Sequence, residues 1–326
     1  MLKRASTLVR AMTMGAAAVL VLGLAAPATA AYPGAFHPTQ SVGNRGSDVT
    51  ALQYLLRGRG HATAVDGVFS AGTATAVKAF QQAKSLPADG IVGTKTWGAL
   101  VVQVREGDKG DAVSALQTQL NAKLRLSLKV TGTFDAATKQ AVSNFQSHAR
   151  LGADGVAGPV TWENLLWHYA YPDMGAGLCD KDPDNNGTAN WGTGATTAQL
   201  EAAARTFAAT GQGKIPLGDI GFEHGGAING HASHRAGMDV DIWPVRTDSA
   251  QCTAGRITWE SPTYDRAATR QLVKAIRGAA PGHVKVIWFN DPVLIREGLT
   301  KALVNHSNHL HVRYCEKVHT SSSYTC

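Results

Sequence analysis

The stretch Gly230-His231-Ala232-Ser233-His234-Arg235-Ala236-Gly237-Met238-Asp239-Val240-Asp241 decides how the last third of the chain folds. His234 and Asp241 are seven residues apart. On a helix that separation is two turns, about 10 Å of rise, whereas two ligands of one metal must each bring a donor atom to within ~2.0–2.2 Å of it. One continuous helix cannot do this, but a turn followed by a strand can. Gly237 permits the turn. Met238, Val240 and Ile242 alternate with Asp239 and Asp241, the period-2 pattern of a half-buried strand. A second cluster, His306-Ser307-Asn308-His309-Leu310-His311, places His309 and His311 on one face of another strand, with Leu310 and Val312 turned to the core. The apolar, β-branched run from Val284 to Phe289 can flank it. Seven of the 12 histidines fall between His224 and His311. Two imidazoles and a carboxylate, with imidazoles to spare, are the ligand set of a catalytic zinc site that keeps one position open for water. His224 and His283 belong to neither cluster and read as surface residues.

Upstream, residues 46–100 and 110–165 are two copies of one unit. Leu52-Gln53 recurs as Leu116-Gln117, Phe69 as Phe134, Phe80-Gln81 as Phe145-Gln146, and Asp89-Gly90 as Asp154-Gly155. Thr96-Trp97 recurs as Thr161-Trp162, and matched positions in fixed order mark a repeat. Each copy reads as three short helices. The first carries Val49, Leu52 and Leu56, the second Ala76, Val77 and Phe80. The third has Thr96 as N-cap, with Trp97 and Leu100 inward. Phe80, Trp97, Phe145 and Trp162 read as core. Thr131-Gly132 stands where the first copy has Asp66-Gly67, a departure expected to weaken one loop.

The first 30 residues carry Lys3, Arg4 and Arg10, then an apolar stretch, then Ala28-Thr29-Ala30. This is the pattern of a cleaved secretory signal, too short to span a bilayer. Without it the balance is 28 Lys+Arg against 24 Asp+Glu, so the net charge falls from +7 to +4. That suits an anionic polymer such as a cell wall. The absence of basic runs interleaved with aromatics argues against nucleic acid, and no membrane association is expected once the signal is removed. Cys179, Cys252, Cys315 and Cys326 form an even set that reads as disulfides in an exported chain, with three pairings open. Residues 169–195 read as a linker rich in Gly, Asp and Asn. Within it Asp180-x-Asp182-x-Asp184 imitates a calcium loop, but Asn185 and Trp191 occupy positions where such a loop needs Gly and Glu, so a solvated turn is expected.

The repeats resemble the peptidoglycan-binding repeat of bacterial cell-wall hydrolases, most specifically in the Asp-Gly-x-x-Gly-x-x-Thr-Trp element. The spacing HxxxxxxD with a distant HxH resembles the zinc peptidase superfamily of lysostaphin-type enzymes, D-Ala-D-Ala peptidases and the hedgehog domain. The longer strings, with Trp243, Val312 and Arg313, are similar to the penicillin-insensitive murein endopeptidases. The resemblance implies Zn2+ held by His234, Asp241 and His311. His309 would then serve as base or oxyanion stabiliser, with His306 and His231 as further active-site histidines. Asp239 is assigned, from its place on the strand, to orienting a ligating histidine. The carboxypeptidase branch carries a Glu three residues before its last zinc-binding His. Here that position is Asn308, so the proton work falls to histidine. No substrate-binding residue is named.

The expected organisation is multidomain: a signal peptide at 1–30, two all-α three-helix modules at 38–102 and 103–168, a linker at 169–195, and an α+β zinc peptidase domain with a central antiparallel sheet at 196–326. The expected activity is cleavage of stem-peptide cross-links at a D-amino-acid bond by a secreted or cell-wall-associated protein (periplasmic where there is an outer membrane). Peptidoglycan is the partner, and nothing calls for an oligomer. The alternatives are a D-Ala-D-Ala carboxypeptidase and a wall-binding protein with a structural zinc.

Overall fold

The computed structural model describes residues 37–181 and 188–326. The stretch read as a signal peptide and most of the calcium-like turn lie outside them. No helix among the described residues is long and apolar enough to cross a membrane.

Each repeat folds as three helices: α1 (Ser47–Gly58), α2 (Ala71–Ala83) and α3 (Thr94–Leu100), then α4 (Asp111–Leu124), α5 (Ala136–His148) and α6 (Pro159–Trp167). Trp97, Phe80, Trp162 and Phe145 are fully buried in one core that runs through both modules. A glutamine clamp recurs four times. Gln81 accepts from Gly90 N (2.9 Å) and donates to Asp89 Oδ1, the Ile91 carbonyl and Thr96 Oγ1; Gln146 does the same at Asp154–Val156 and Thr161. Thr96 is therefore not an N-cap. The helix begins two residues earlier, behind Gly93, and Thr96 is a buried acceptor for the clamp. In the second copy Gln117 still receives Thr131 N and Gly132 N at 3.0 Å. Its amide reaches Thr131 Oγ1 at 3.5 Å, where Gln53 meets Asp66 at 2.8 Å. The departure stretches one bond and leaves the loop intact.

The remaining chain forms β1 (Leu178–Asp180), α7 (Gly194–Ala208), β2 (Ile215–Leu217), β3 (Asp239–Ile242), α8 (Arg266–Ala279), β4 (Val284–Trp288), a short α9 (Pro292–Arg296) and β5 (Leu310–Tyr314). The sheet order is β1-β2-β3-β5-β4. It is mixed rather than purely antiparallel, because β1 runs parallel to β2 at the edge while the other pairs are antiparallel. The segment 169–195 thus does not run free between domains: it supplies β1, and Ala170 pairs with Gly192. Helices α7 and α8 cover one sheet face, packing Leu200, Phe207, Leu272 and Ile276 on Val240, Ile242, Leu310 and Val312. Each such aliphatic contributes roughly 1.5–3 kcal/mol by leaving water. Parity then sends Asp239, Asp241, His311 and Arg313 to the opposite face.

The modules are docked on this domain. Arg45 Nε donates to the Ala279 carbonyl (3.1 Å), and Thr39 N donates to Glu316 (3.4 Å). Asp48 and Lys123, both fully buried and 3.3 Å apart, sit under Gly194, where a Cβ would fall 2.6 Å from Asp48 Oδ2. His283 is buried, not on the surface, with its ring nitrogens 2.9 Å and 3.0 Å from the Cys315 and Val42 carbonyls. The cysteines pair as Cys179–Cys252 and Cys315–Cys326.

Candidate metal centre

Strands β3 and β5 pair Asp241 with His311 and Asp239 with Arg313, so cross-strand neighbours share the uncovered face. All four residues of β3 are buried. The half-buried strand expected from the alternation is instead a central strand whose polar face is roofed by histidines and the C-terminal tail. The 231–237 loop returns His234 to Asp241. Gly237 takes φ 61° in that loop, and a Cβ there would strike the Tyr169 ring at 2.7 Å. His234 itself is left-handed (φ 68°) and fully buried, a conformation uncommon outside Gly, Asn, Asp and His.

Three donors converge. His234 Nδ1 donates to the Ile220 carbonyl (3.1 Å), so in the neutral ring Nε2 holds the lone pair. That atom lies 3.3 Å from Asp241 Oδ1. Both atoms are buried and neither has a hydrogen-bond partner. His311 Nε2 donates to Asp239 Oδ1 (2.8 Å), leaving Nδ1 3.4 Å from the same Asp241 oxygen. Lone pairs of two imidazoles and a carboxylate facing one another out of water repel unless a cation lies between them. The donor set therefore fits a metal, and its N/N/O chemistry fits zinc. Groups with mutually close donors are His231, His234 and Asp241 on one side and His306, His309 and His311 on the other. The expected triad straddles the two, and Asp241 Oδ1 joins them.

The other expected residues gather here. His309 Nδ1 donates to Asn308 Oδ1 (2.8 Å), and its Nε2 lies 3.7 Å from Asp241. Burial pushes the ring down to about 4, against the pull of Asp241, so it is neutral at neutral pH. His306 stacks near it, ring centres 4.6 Å apart, and is also lowered by burial. His231 Nε2 lies 2.9 Å from Asp219. Asp239, fully buried, receives His311, Arg313 Nε (2.7 Å) and the Tyr324 hydroxyl. Burial opposes its ionisation, yet these partners hold it well below the usual carboxylate range.

Sequence reasoning missed Asp219, Asn308 as an orienting group, Tyr324, and Arg256, which stacks over Trp243 (4.7 Å). Trp288 meets the His311 ring edge-on at 5.1 Å. No motif marks these positions; only their place in the fold does. Asp241 and His311 line a cleft of about 570 Å³, with His234 buried behind them. The helical modules contribute nothing to its lining.

Comparison with known proteins gives three kinds of match. The peptidoglycan binding domain family matches residues 45–100 and 109–165, and the penicillin-insensitive murein endopeptidase family matches residues 184–281. The second match stops short of His306–His311, whose position rests on the sheet. The zinc D-Ala-D-Ala carboxypeptidase of Streptomyces albus G is 34% identical over 119 residues, 36% of this chain and 43% of that protein. The N-acetylmuramoyl-L-alanine amidase CwlM of Mycobacterium tuberculosis is 36% identical over 112 residues, 31% and 28% respectively. The chain spans less than half the length of these curated relatives. Among solved structures, the SleB N-terminal domain is 40% identical, covers 20% of this chain and 89% of its own, and has a TM-score of 0.19. The chain thus carries two peptidoglycan binding repeats followed by a region, residues 184–281, that matches the penicillin-insensitive murein endopeptidase family.

Proposed function

We propose that this chain is an exported, zinc-dependent peptidoglycan endopeptidase that hydrolyses stem-peptide cross-links at a D-amino-acid bond. The observation that carries the reading is the buried, unpartnered convergence of His234 Nε2 and Asp241 Oδ1 with His311 Nδ1 at the floor of an open cleft. His234, Asp241 and His311 would hold the metal. When bound, zinc would act as a Lewis acid and lower the pKa of a coordinated water towards ~7. His309, neutral and aimed by Asn308, is placed to accept a proton. His306 flanks the same space, and with Nδ1 donating to the Val304 carbonyl its Nε2 is placed to relay a proton, while His231 lines the cleft held by Asp219. Asp239 fixes the His311 ring, and Arg256 offers positive charge to a carboxylate-bearing peptide. The two paired cysteine bridges fit an oxidising compartment outside the cytoplasm. The helical modules would hold the enzyme on the wall and raise effective substrate concentration. The family match at 184–281 supports cleavage of cross-links.

A second reading, removal of a terminal D-Ala, draws on the likeness to the zinc D-Ala-D-Ala carboxypeptidase. Mass spectrometry of purified cross-linked muropeptide dimers, with and without a zinc chelator, separates the two. Chelator-sensitive conversion to monomers is expected. Loss of only a terminal alanine would transfer the assignment to the carboxypeptidase, and unchanged dimers would refute both.

A further inference from the structure

A second group of metal-type side chains lies outside the cleft, where module 2 meets the C-terminal domain. His148 ends α5 and His168 follows α6, while Glu223 and His224 come from the loop after β2. Their donor atoms all lie within 4.8 Å of one another. Glu223 is the hub, with His148 Nε2 at 3.1 Å, His168 Nε2 at 3.6 Å and His224 Nε2 at 3.7 Å. The three ring centres form a nearly equilateral triangle with sides of 5.2, 5.4 and 5.5 Å. Three imidazoles on one tetrahedral zinc, with Zn–N near 2.0–2.1 Å, have ring centres roughly 5 Å apart.

His168 supplies the independent observation. Its side chain is 1% exposed. Nδ1 lies 2.7 Å from the Tyr169 carbonyl, which can only accept, so Nδ1 carries the proton. Nε2 is left buried, with no hydrogen-bond partner, and pointed at a carboxylate. A buried lone pair facing a partly exposed carboxylate is a ready place for a cation between them.

We propose that His148, His168, Glu223 and His224 form a second, structural zinc site that clamps module 2 onto the C-terminal domain. Four protein ligands close the coordination sphere, unlike the cleft triad, which leaves a position free. The ion would fix the angle between wall-binding modules and cleft.

The test is equilibrium dialysis of the full chain against zinc, followed by elemental analysis. About two ions per chain are expected for the wild type, about one for His234→Ala, and about one for the double variant His148→Ala/Glu223→Gln, whose residues are partly exposed. Wild-type stoichiometry in the double variant would overturn the clamp. One ion in the wild type, lost only in the double variant, would keep the clamp and sink the cleft assignment. If the double variant does not fold, cobalt in the His234→Ala chain decides. An intense tetrahedral visible band is expected, and a weak octahedral one, or no binding, would overturn the site.

Discussion

Asp239 shows how much of the cleft depends on one carboxylate that touches no substrate. It takes hydrogen bonds from His311, Arg313 and Tyr324 and a backbone N–H from His234. Both proposed histidine ligands are thereby oriented by the same side chain. Asp239→Asn keeps the shape and removes the charge that fixes the His311 tautomer, so zinc affinity should fall 10–100-fold, as read by competition with a chromophoric chelator. His309→Ala should behave oppositely. Zinc content should be retained while kcat falls 10²–10⁴-fold, and a near-normal turnover would remove His309 from the proton path. That these side chains share one strand face was legible from alternation in the sequence, while the roles expected of His309 and His311 came with the family resemblance. Asp219, Asn308 and Tyr324 were not legible, since a supporting residue can arrive from anywhere in the chain.

At the scale of elements, the glutamine clamp explains why the repeats match where they do. Gln81 satisfies the buried Gly90 N–H and Thr96 hydroxyl, and also meets the Ile91 carbonyl and the exposed Asp89 carboxylate. Gln81→Ala should cost about 2–3 kcal/mol, measured by urea unfolding of the whole chain. A loss below about 0.5 kcal/mol would show that water replaces the amide. The helices were readable from apolar spacing, and the pattern Phe-Gln in both copies carried the clamp unread. The helix start at Thr94 was misplaced because Thr96 has the chemistry of a cap but spends it on Gln81. The parallel edge strand β1 was missed for another reason. Three residues amid Gly and Asp give no periodic signal, and only pairing with Ile215–Leu217 makes them a strand.

Across the whole molecule, the modules are packed against the domain they serve. Glu316 is 3% exposed at the seam, and burial, aided by the Asp48 charge, pushes its carboxyl up to about 8 from 4.5. The folded chain keeps this proton up to about pH 8, whereas the unfolded chain releases it near 4.5. Stability conferred by this group is therefore complete below pH 4.5 and is lost as pH rises towards 8, at up to about 1.4 kcal/mol per pH unit. Glu316→Gln should flatten that decline in thermal melts between pH 5 and 8.5; an unchanged slope would mean that the carboxyl is already ionised when folded. Deleting residues 38–168 should weaken sedimentation with wall. Because it uncovers Glu316 and His283, it should also lower the melting temperature of what remains, which independent tethers would not do.

The tail beyond β5 has its own bearing on timing. Tyr324 reaches Asp239 from a segment closed by the Cys315–Cys326 bond, so the partner set of the carboxylate that orients His311 is completed by oxidation. Slower zinc uptake by a Cys326→Ser chain would reveal the dependence. A hydrolase built this way would load its metal poorly in a reducing cytoplasm, where the cell assembles its own wall precursors, and would become competent only where thiols are oxidised and the finished polymer lies.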